Sequence, residues 1–156
     1  MYFRHASTEK DYADQVNANV NDGSTQRVLS EKGWHEAVHV GNAIRFYNIP
    51  VGKVISSEYF RAWQTAWLAF GEYEKNADLN FLPFADFTDE QMAEMKKLVV
   101  PFLSTKPDQG KNTIIVAHDD PFEASTGIYP EPQGVCFILE PKGNRKFEIL
   151  GQIAPD

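Results

Sequence analysis

The stretch NTIIVAHDD, residues 112 to 120, decides the fold. Its apolar and largely β-branched residues from Ile114 to Ala117 are typical of a strand that is buried on both faces. Strands of this kind occur inside parallel sheets that carry helices on both sides. The polar pair His118 and Asp119 follows directly, where this strand would end.

Further strands and helices alternate along the chain around this run. Strands are predicted over residues 1–5 (MYFRH), 53–57 (KVISS), 134–140 (GVCFILE) and 147–153 (FEILGQI). Helices are predicted over residues 30–47, 58–71 and 88–103. The turn PKGNR between the last two strands predicts an antiparallel hairpin. We therefore expect a three-layer α/β/α domain around a mainly parallel central sheet with an antiparallel edge.

Residues that recur at helical spacing predict which face of each helix is buried. The first helix is expected to bury Gly33, Ala37, Val40, Ile44 and Tyr47. The second is expected to bury Trp63, Ala66, Trp67 and Phe70 and to end at Gly71, which suits a left-handed C-terminal position.

Length and composition limit the classes of protein that this chain can be. With 156 residues, 42% of them hydrophobic, the chain can bury one core, and we expect a single domain over residues 1–156. The net charge of −7 and the lack of a basic run argue against nucleic acid as a partner. Cys136 is the only cysteine and lies within an apolar strand, so we expect a buried thiol and no disulfide.

No part of the sequence reads as a membrane span or a signal peptide. A span needs roughly 18 apolar residues in succession, and a signal peptide needs a charged segment followed by an apolar one. We expect a cytoplasmic location if the chain is complete, and a periplasmic or exported one if an N-terminal signal was trimmed.

The stretch GWHEAVHVG, residues 33 to 41, contains the H-E-x-x-H spacing of catalytic zinc sites. On the predicted helix, however, His35 and His39 lie opposite the buried face and point to solvent. A hydrolytic zinc needs a shaped cleft and a third protein ligand. Glu58, Glu72 and Glu74 are candidates for that ligand, but nothing in the sequence places any of them opposite this face of the helix. A zinc hydrolase that uses His35, Glu36 and His39 is therefore the least favoured alternative, and no metal is expected.

Three predicted parallel strands end in residues that can bind an anion. The first ends in Arg4 and His5, the second is followed by Arg61 in the first turn of the next helix, and the third ends in His118 and Asp119. Ligands of open α/β sheets bind at the carboxyl ends of the strands. Two arginines and two histidines at that edge predict an electropositive pocket for a compact dianion such as a phosphoryl group.

The segment YFRHAST, residues 2–8, resembles the Arg-His-Gly signature of the histidine phosphatase superfamily, the phosphoglycerate-mutase-like proteins, with Ala6 in place of Gly. Three later segments are similar to that family's following segments, in the expected order: LSEKGWHEAVHVGNAI (29–44), VISSEYFRAWQTAWLAFG (54–71) and TIIVAHDDPFEASTG (113–127). The resemblance covers residues 2–139 and implies a phosphoglycerate-mutase-like fold.

The resemblance also implies a role for each residue of the predicted pocket. His5 matches the nucleophile, which becomes a phosphohistidine that water then hydrolyses. Arg4 and Arg61 match the two arginines that hold the phosphoryl oxygens, and His118 matches the second histidine of the pocket. A neutral imidazole can form such an intermediate, and positive charge around it stabilises the transferring oxygens. No cofactor is implied.

The proton donor to the leaving group has three candidates. Asp119 resembles the acid of the phytase-like branch, which directly follows the second histidine. Asp86 is the candidate if the chain follows the mutase-like branch, and Glu123 is the third. Thr8 lies where related signatures have Ser or Thr, and it either touches phosphate or shapes the loop.

These features predict a phosphoric monoester hydrolase that acts on a phosphomonoester or a phosphohistidine through a covalent intermediate on His5. The expected partner is a phosphorylated small molecule or a phosphorylated protein. The pocket rim, formed by residues 8–27 and 125–134, has no large insert, which suits a bulky substrate such as a phosphorylated protein histidine or a phosphorylated sugar. The alternative from another class is a phosphate-binding module of the same fold without turnover.

Overall fold

The computed structural model describes residues 1–82 and 87–155, which form six strands and four α-helices. The strands are β1 (Tyr2–Arg4), β2 (Val51–Ser56), β3 (Glu74–Lys75), β4 (Asn112–Ala117), β5 (Cys136–Gly143) and β6 (Lys146–Ile153). The helices are α1 (Glu31–Phe46), α2 (Phe60–Phe70), α3 (Asp89–Ser104) and α4 (Asp119–Thr126).

The strands form one mixed sheet in the order β3-β2-β4-β1-β5-β6. Strand β4 pairs in parallel with β1 on one side and with β2 on the other. Strand β3 pairs in parallel with β2. Strand β5 is antiparallel to β1 and to β6, so the hairpin forms one edge. The expectation of a mainly parallel sheet with an antiparallel edge is confirmed.

The central strand β4 supplies side chains to two hydrophobic cores, one on each face of the sheet. Ile114 and Val116 pack on one side with Ala66 of α2. Ile115 packs on the other side with Phe122 of α4, alongside residues of α3. Because both faces of β4 are covered, its sequence is apolar throughout rather than alternating. Helices α1 and α2 pack together, as do α3 and α4, which confirms the three layers.

Backbone hydrogen bonds hold the carboxyl ends of the three central strands side by side. The His5 N–H donates to the Ala117 carbonyl at 3.0 Å, and the Ser57 N–H donates to the Val116 carbonyl at 3.0 Å. The Gly134 N–H donates to the carbonyl of His5 at 2.9 Å. The residues that follow β1, β2 and β4 therefore share one edge of the sheet.

The predicted solvent-facing side of α1 is confirmed, but the prediction that Tyr47 belongs to its buried side is wrong. His35 and His39 are exposed, as their spacing predicts. Tyr47, expected to be buried, is 71% exposed. It is the C-terminal cap, where the helical spacing no longer applies, and the helix buries Gly41 and Ile44 in its last turns.

The predicted apolar face of α2 is wrong in part. Trp67 is 49% exposed, while Trp63 and Phe70 are half-buried. The buried apolar residues are small: Ala62, Ala66 and Ala69. The reason is close packing against α1, because a Cβ built on Gly41 would lie only 2.1 Å from the Ala69 carbonyl oxygen. Large side chains cannot enter an interface of that width. Gly71 does end the helix, with a φ of 83°.

Two elements were not predicted from the sequence. Helix α4 is short and begins with two aspartates, so it lacks an apolar stripe of useful length. Strand β3 has two residues, both exposed. Helix α3 begins as predicted, with Thr88 and Gln91 forming a reciprocal capping box.

The structure also bears on the cysteine and on membrane-spanning helices. Cys136 is buried, and burial raises the pKa of its thiol to about 12. None of the helices found in residues 1–82 and 87–155 has both the length and the apolar character needed to cross a bilayer.

Candidate active site

The structure brings together all five residues that the sequence assigned to one pocket. The ring centroids of His5 and His118 lie 5.4 Å apart. The Arg61 Nε donates to His5 Nε2 at 3.2 Å, and Arg4 Nη2 donates to Asp119 Oδ2 at 2.5 Å. Four of the five, all except Asp119, are buried. Their catalytic roles remain a prediction.

The hydrogen bonds of His5 fix which ring nitrogen carries the proton. Nδ1 lies 2.9 Å from the Ala6 carbonyl oxygen, which can only accept, so Nδ1 carries the hydrogen. Nε2 then has the free lone pair, and it accepts from Arg61. This is the tautomer that a nucleophilic Nε2 requires.

The ring of His118 is oriented by a relay of two polar side chains. The Ser57 hydroxyl donates to Asn80 Oδ1 at 2.7 Å and therefore accepts from His118 Nε2, also at 2.7 Å. Asn80 is itself held by Glu58, to which its Nδ2 donates at 2.9 Å. The neutral ring of His118 thus carries its hydrogen on Nε2, and Nδ1 has a lone pair.

Both histidines are neutral at physiological pH. Burial lowers the pKa of His5 well below its ordinary value, and the nearby Arg61 lowers it further. The pKa of His118 is lowered for the same two reasons, in the same order. A neutral imidazole can act as a nucleophile, whereas an imidazolium cannot.

Arg4 is held by partners on the chain segment that follows β4. Its Nη1 donates to the Pro130 carbonyl at 2.8 Å, and its guanidinium lies 5.3 Å from the ring centre of Tyr129. The Tyr129 hydroxyl donates to Asp119 Oδ2 at 2.7 Å. Although burial opposes ionisation, Arg4 and this hydroxyl lower the pKa of Asp119, which is therefore a carboxylate near pH 7.

Asp120 is a carboxyl group that the sequence reasoning did not nominate. Burial, the adjacent Asp119 charge and Glu123 raise its pKa to about 6. The signal in the sequence that could have identified it is the second aspartate directly after His118 and Asp119. Of the other proton-donor candidates, Glu123 is half-buried on α4, and Asp86 lies outside the described residues.

Arg27 is a further cation near the pocket that sequence reasoning missed. Burial and the neighbouring Arg61 lower the pKa of Arg27. The charge of Asp119 raises this pKa, and that of Arg4 lowers it. An isolated bridge between Thr8 and Leu29 brings this end of the loop back towards β1. No spacing rule predicts such a contact, which explains why Arg27 was overlooked.

Three buried polar atoms around the pocket have no hydrogen-bond partner within the described residues: Arg4 Nε, Arg27 Nε and His118 Nδ1. Buried polar atoms are usually paired, so a cluster of three is informative. Two are cationic donors, and the third can donate once the ring gains a proton. Such a set suits the oxygens of a phosphoryl group.

Thr8 and Ala6 have structural roles in the loop after β1. The Thr8 N–H donates to Gln133 Oε1 at 3.0 Å, and Gln133 Nε2 donates to Thr8 Oγ1 at 3.1 Å. Ala6 does not have a positive φ, so alanine fits where the resembling family has glycine. Its N–H donates to Thr65 Oγ1 at 3.1 Å.

Within the H-E-x-x-H stretch, Glu36 is bonded to the loop after β1. Glu36 accepts from the backbone N–H and the hydroxyl of Ser7, at 2.9 and 3.0 Å. His35 and His39 face solvent beside it. In residues 1–82 and 87–155, no group of three His, Cys, Asp or Glu side chains is arranged to hold a metal ion.

An open cleft of about 630 Å³ lies beside Arg4 and Arg27 and extends to Glu9, Lys10 and Glu131. His5 itself is only 1% exposed. The nucleophile candidate is thus next to a cleft but covered in this conformation.

Comparison with other proteins gives the fold a name. No family model and no curated protein sequence matches the chain. Among solved structures, the protein histidine phosphatase SixA complexed with tungstate matches with a TM-score of 0.68 and 13% identity, over 99% of this chain and 95% of that one. A phosphoserine phosphatase mutant from Entamoeba histolytica in complex with phosphoserine gives 0.69 and 17%, over 97% and 94%. The chain has the fold of the histidine phosphatases.

A third histidine phosphatase fold extends the comparison. The mycobacterial glucosyl-3-phosphoglycerate phosphatase complexed with VO3 matches with a TM-score of 0.65 and 14% identity, over 96% of both chains. All three neighbours are phosphatases, and they act on different phosphorylated compounds by name. The phosphoglycerate-mutase-like fold expected from the sequence is therefore confirmed, while identities of 13–17% leave substrate and mechanism to be argued from this chain's own residues.

Proposed function

We propose that this protein is a phosphatase that hydrolyses a phosphomonoester or a phosphohistidine through a covalent phosphohistidine on His5. The observation that carries the proposal is the environment of His5 Nε2. The ring is neutral with its hydrogen on Nδ1, and the lone pair of Nε2 accepts a hydrogen bond from the Arg61 Nε at 3.2 Å. A nucleophile next to a fixed guanidinium is the arrangement that phosphoryl transfer needs.

In the first step, His5 Nε2 attacks phosphorus, and the bond from phosphorus to the leaving oxygen or nitrogen breaks. Arg4 and Arg61 hold the non-bridging oxygens, whose charge spreads in the transition state, and His118 joins them once its Nδ1 gains a proton. In the second step, water attacks phosphorus, the bond from phosphorus to Nε2 breaks, and inorganic phosphate leaves. His5 is then regenerated with its lone pair.

We assign the proton transfer of the second step to Asp119. Because Arg4 and Tyr129 keep this group ionised, it can accept the proton that the attacking water loses. An ionised carboxylate cannot give a proton to the first leaving group. The site is therefore suited to leaving groups that need no acid from the protein, such as a phenolate, or the imidazole of a phosphohistidine whose other ring nitrogen already carries a proton.

Two substrate classes fit the open rim of the pocket. One is a phosphorylated protein histidine, the class named for SixA, and the other is a phosphorylated small molecule such as a sugar phosphate. Because Asp119 is ionised and cannot protonate a leaving group, we favour the phosphorylated protein histidine over the sugar phosphate. Side-by-side rates with a phosphohistidine peptide and with a panel of sugar phosphates test this order.

Hydrolysis of p-nitrophenyl phosphate tests the reaction itself. The wild type should release phenolate and His5→Ala should not, while His39→Ala serves as the control for an exposed histidine. Radiolabel from a labelled phosphohistidine peptide should be trapped on the wild-type protein in an acid-labile, base-stable form. Equal rates in wild type and His5→Ala would remove His5 from the mechanism. Loss of activity in His39→Ala and on chelation would restore the zinc alternative.

The burial of His5 favours a second candidate, a phosphate-binding module without turnover. A nucleophile that is 1% exposed can line a binding site without reacting. Calorimetry with inorganic phosphate separates the two functions. Binding without any release of phenolate, and without trapped label, would indicate the module.

A further inference from the structure

The loop over residues 8–27 places a carboxylate on the arginine that contacts His5. Asp14 Oδ1 accepts from Arg61 Nη1 at 2.8 Å, and Asp14 Oδ2 accepts from Arg61 Nη2 at 3.0 Å. Asp14 Oδ1 also accepts from the backbone N–H of Arg27 at 2.8 Å. Bidentate pairing of this kind is how a guanidinium binds either a carboxylate or a phosphate.

Within the described chain, the hydrogen-bonding capacity of Arg61 is almost fully used. Besides the two bonds to Asp14, its Nη1 donates to the Arg27 carbonyl at 3.2 Å and its Nε donates to His5 Nε2 at 3.2 Å. These bonds use four of the five N–H groups of a guanidinium. A phosphoryl group therefore cannot take two N–H groups of Arg61 while Asp14 remains in place.

The same contacts cover the nucleophile. The side chain of Arg61 is 4% exposed and that of Asp14 is 20% exposed, so Asp14 is the outer member of the pair. His5, behind Arg61, is 1% exposed. Access to His5 Nε2 thus requires a movement of Arg61, and Arg61 is held from the solvent side by Asp14.

The segment that carries Asp14 is suited to such a movement. Its neighbours Asp11, Tyr12, Ala13 and Gln15 are exposed, so little apolar surface holds it down. A segment with few buried contacts opens at a lower free-energy cost than the core does. The Asp14 side chain is fixed by Arg61 and by the Arg27 N–H, and the segment itself by the Gln15 N–H, which donates to the Thr25 carbonyl at 2.9 Å.

We infer that Asp14 is an internal carboxylate that closes the site by occupying Arg61, and that an incoming phosphoryl group must displace it. The inference rests on the phosphatase function proposed above. It makes Asp14 a residue that determines specificity, because a doubly charged phosphoryl group competes with a carboxylate for a guanidinium better than a singly charged group does. The apparent dissociation constant for phosphate is then the intrinsic one divided by the fraction of molecules that are open.

Two measurements on Asp14→Ala and Asp14→Asn test the inference. The first is the rate at which diethyl pyrocarbonate acylates His5, read by peptide mass spectrometry, with the exposed His35 and His39 as references in the same molecule. The second is the dissociation constant of inorganic phosphate by calorimetry. In Asp14→Ala we expect His5 to be acylated about tenfold faster and phosphate to bind about tenfold more tightly, as for a site that is open in about one molecule in ten.

The matched controls are Asp11→Ala and Asp11→Asn, which remove the same charge from an exposed position on the same loop. Both should keep the wild-type acylation rate and phosphate affinity. A thermal unfolding scan accompanies each variant. If Asp14→Ala loses its fold, Asp14→Asn, which keeps the shape of the side chain, decides the question.

Each outcome has one meaning. Faster acylation with tighter phosphate binding supports the inference. Unchanged acylation, or weaker phosphate binding, overturns it, and the latter would show that Asp14 supports Arg61 instead of competing for it. Faster acylation in a protein that binds phosphate but does not hydrolyse p-nitrophenyl phosphate would support the closing role of Asp14 and refute the proposed function.

Discussion

His118 Nε2 lies 2.7 Å from the Ser57 hydroxyl, which donates its own proton onward to Asn80. Ser57 can therefore only accept from His118, whether the ring is neutral or protonated. A phosphoryl oxygen can receive a hydrogen bond from Nδ1 once the ring gains a proton, and Ser57 remains a suitable partner in that state. The relay fixes both the orientation and the tautomer of the second histidine.

Removal of the Ser57 hydroxyl should impair catalysis more than folding. In Ser57→Ala, His118 Nε2 loses its acceptor, and we expect kcat to fall about tenfold, the value of one buried hydrogen bond. The control is Ser56→Ala, because the neighbouring hydroxyl is buried without a partner among the described residues. The nitrogen chemical shifts of the His118 ring should change in Ser57→Ala only. Equal kcat in both variants would contradict the relay.

Asp119 offers a test of the second chemical step. If it accepts the proton of the attacking water, Asp119→Asn should slow dephosphorylation by about 10²-fold, a typical contribution of a general base. Phosphohistidine should then accumulate, seen as a burst of p-nitrophenolate followed by a slow phase. Glu123→Gln is the comparison, since it removes the other half-buried candidate on α4. A burst in Glu123→Gln but not in Asp119→Asn would transfer the role to Glu123.

The sequence predicted the elements that carry strong local patterns. The apolar run of β4, the capping box at Thr88 and the hairpin of β5 and β6 are local features, and the structure has all three. The grouping of Arg4, His5, Arg61 and His118 was accessible for a related reason. Each lies at the end of a parallel strand or shortly after it, and the ends of such strands meet at one edge.

The sequence did not predict contacts that depend on how a loop folds. Asp14 and Arg27 lie within a polar segment without periodicity, and only the folded chain places them on Arg61. Tyr47 was misassigned because it is the C-terminal cap of α1, where the helical spacing no longer applies. Trp67 was misassigned because helical spacing does not report the width of the interface between two helices. That width is set by Gly41, through a contact with the backbone of α2.

Gly33 is a second position where a helix approaches the backbone closely. A Cβ built there would lie 1.9 Å from the Ser7 carbonyl oxygen, which the Ser30 hydroxyl also holds at 3.1 Å. Gly33→Ala should therefore destabilise the protein by about 3 kcal/mol, at the upper end of the usual cost of overpacking. It should also lower activity, because Ser7 lies in the loop directly after His5. Urea unfolding measures the first effect.

Gly151→Ala is the control for that substitution. Gly151 lies in β6 with nothing within 4 Å of the position of a Cβ, so alanine should be tolerated within about 0.5 kcal/mol. Similar unfolding free energies for Gly33→Ala and wild type would show that the loop after His5 can shift freely.

Asp120 should make the stability of the protein depend on pH. Its pKa is raised to about 6 in the folded state, chiefly by burial and by the adjacent Asp119, while an unfolded aspartate has a pKa of about 3.9. The folded state therefore binds this proton more tightly. The stabilisation from the bound proton is present below about pH 4, falls as the pH rises towards 6, and is lost above that.

Asp120→Asn, which is neutral at every pH, should therefore be more stable than wild type at pH 8, with only about a third of that difference left at pH 4.5. Because Asp120 is partly exposed, we expect a gain of about 1 kcal/mol at pH 8, less than the full shift would give. His5 and His118 shift stability with pH in the opposite sense, but they are common to both proteins and cancel in the difference. Asp108→Asn, which removes a carboxylate from an exposed position, is the control variant. The same gain at both pH values, or a loss at pH 8, would mean that Asp120 is not held in the environment described.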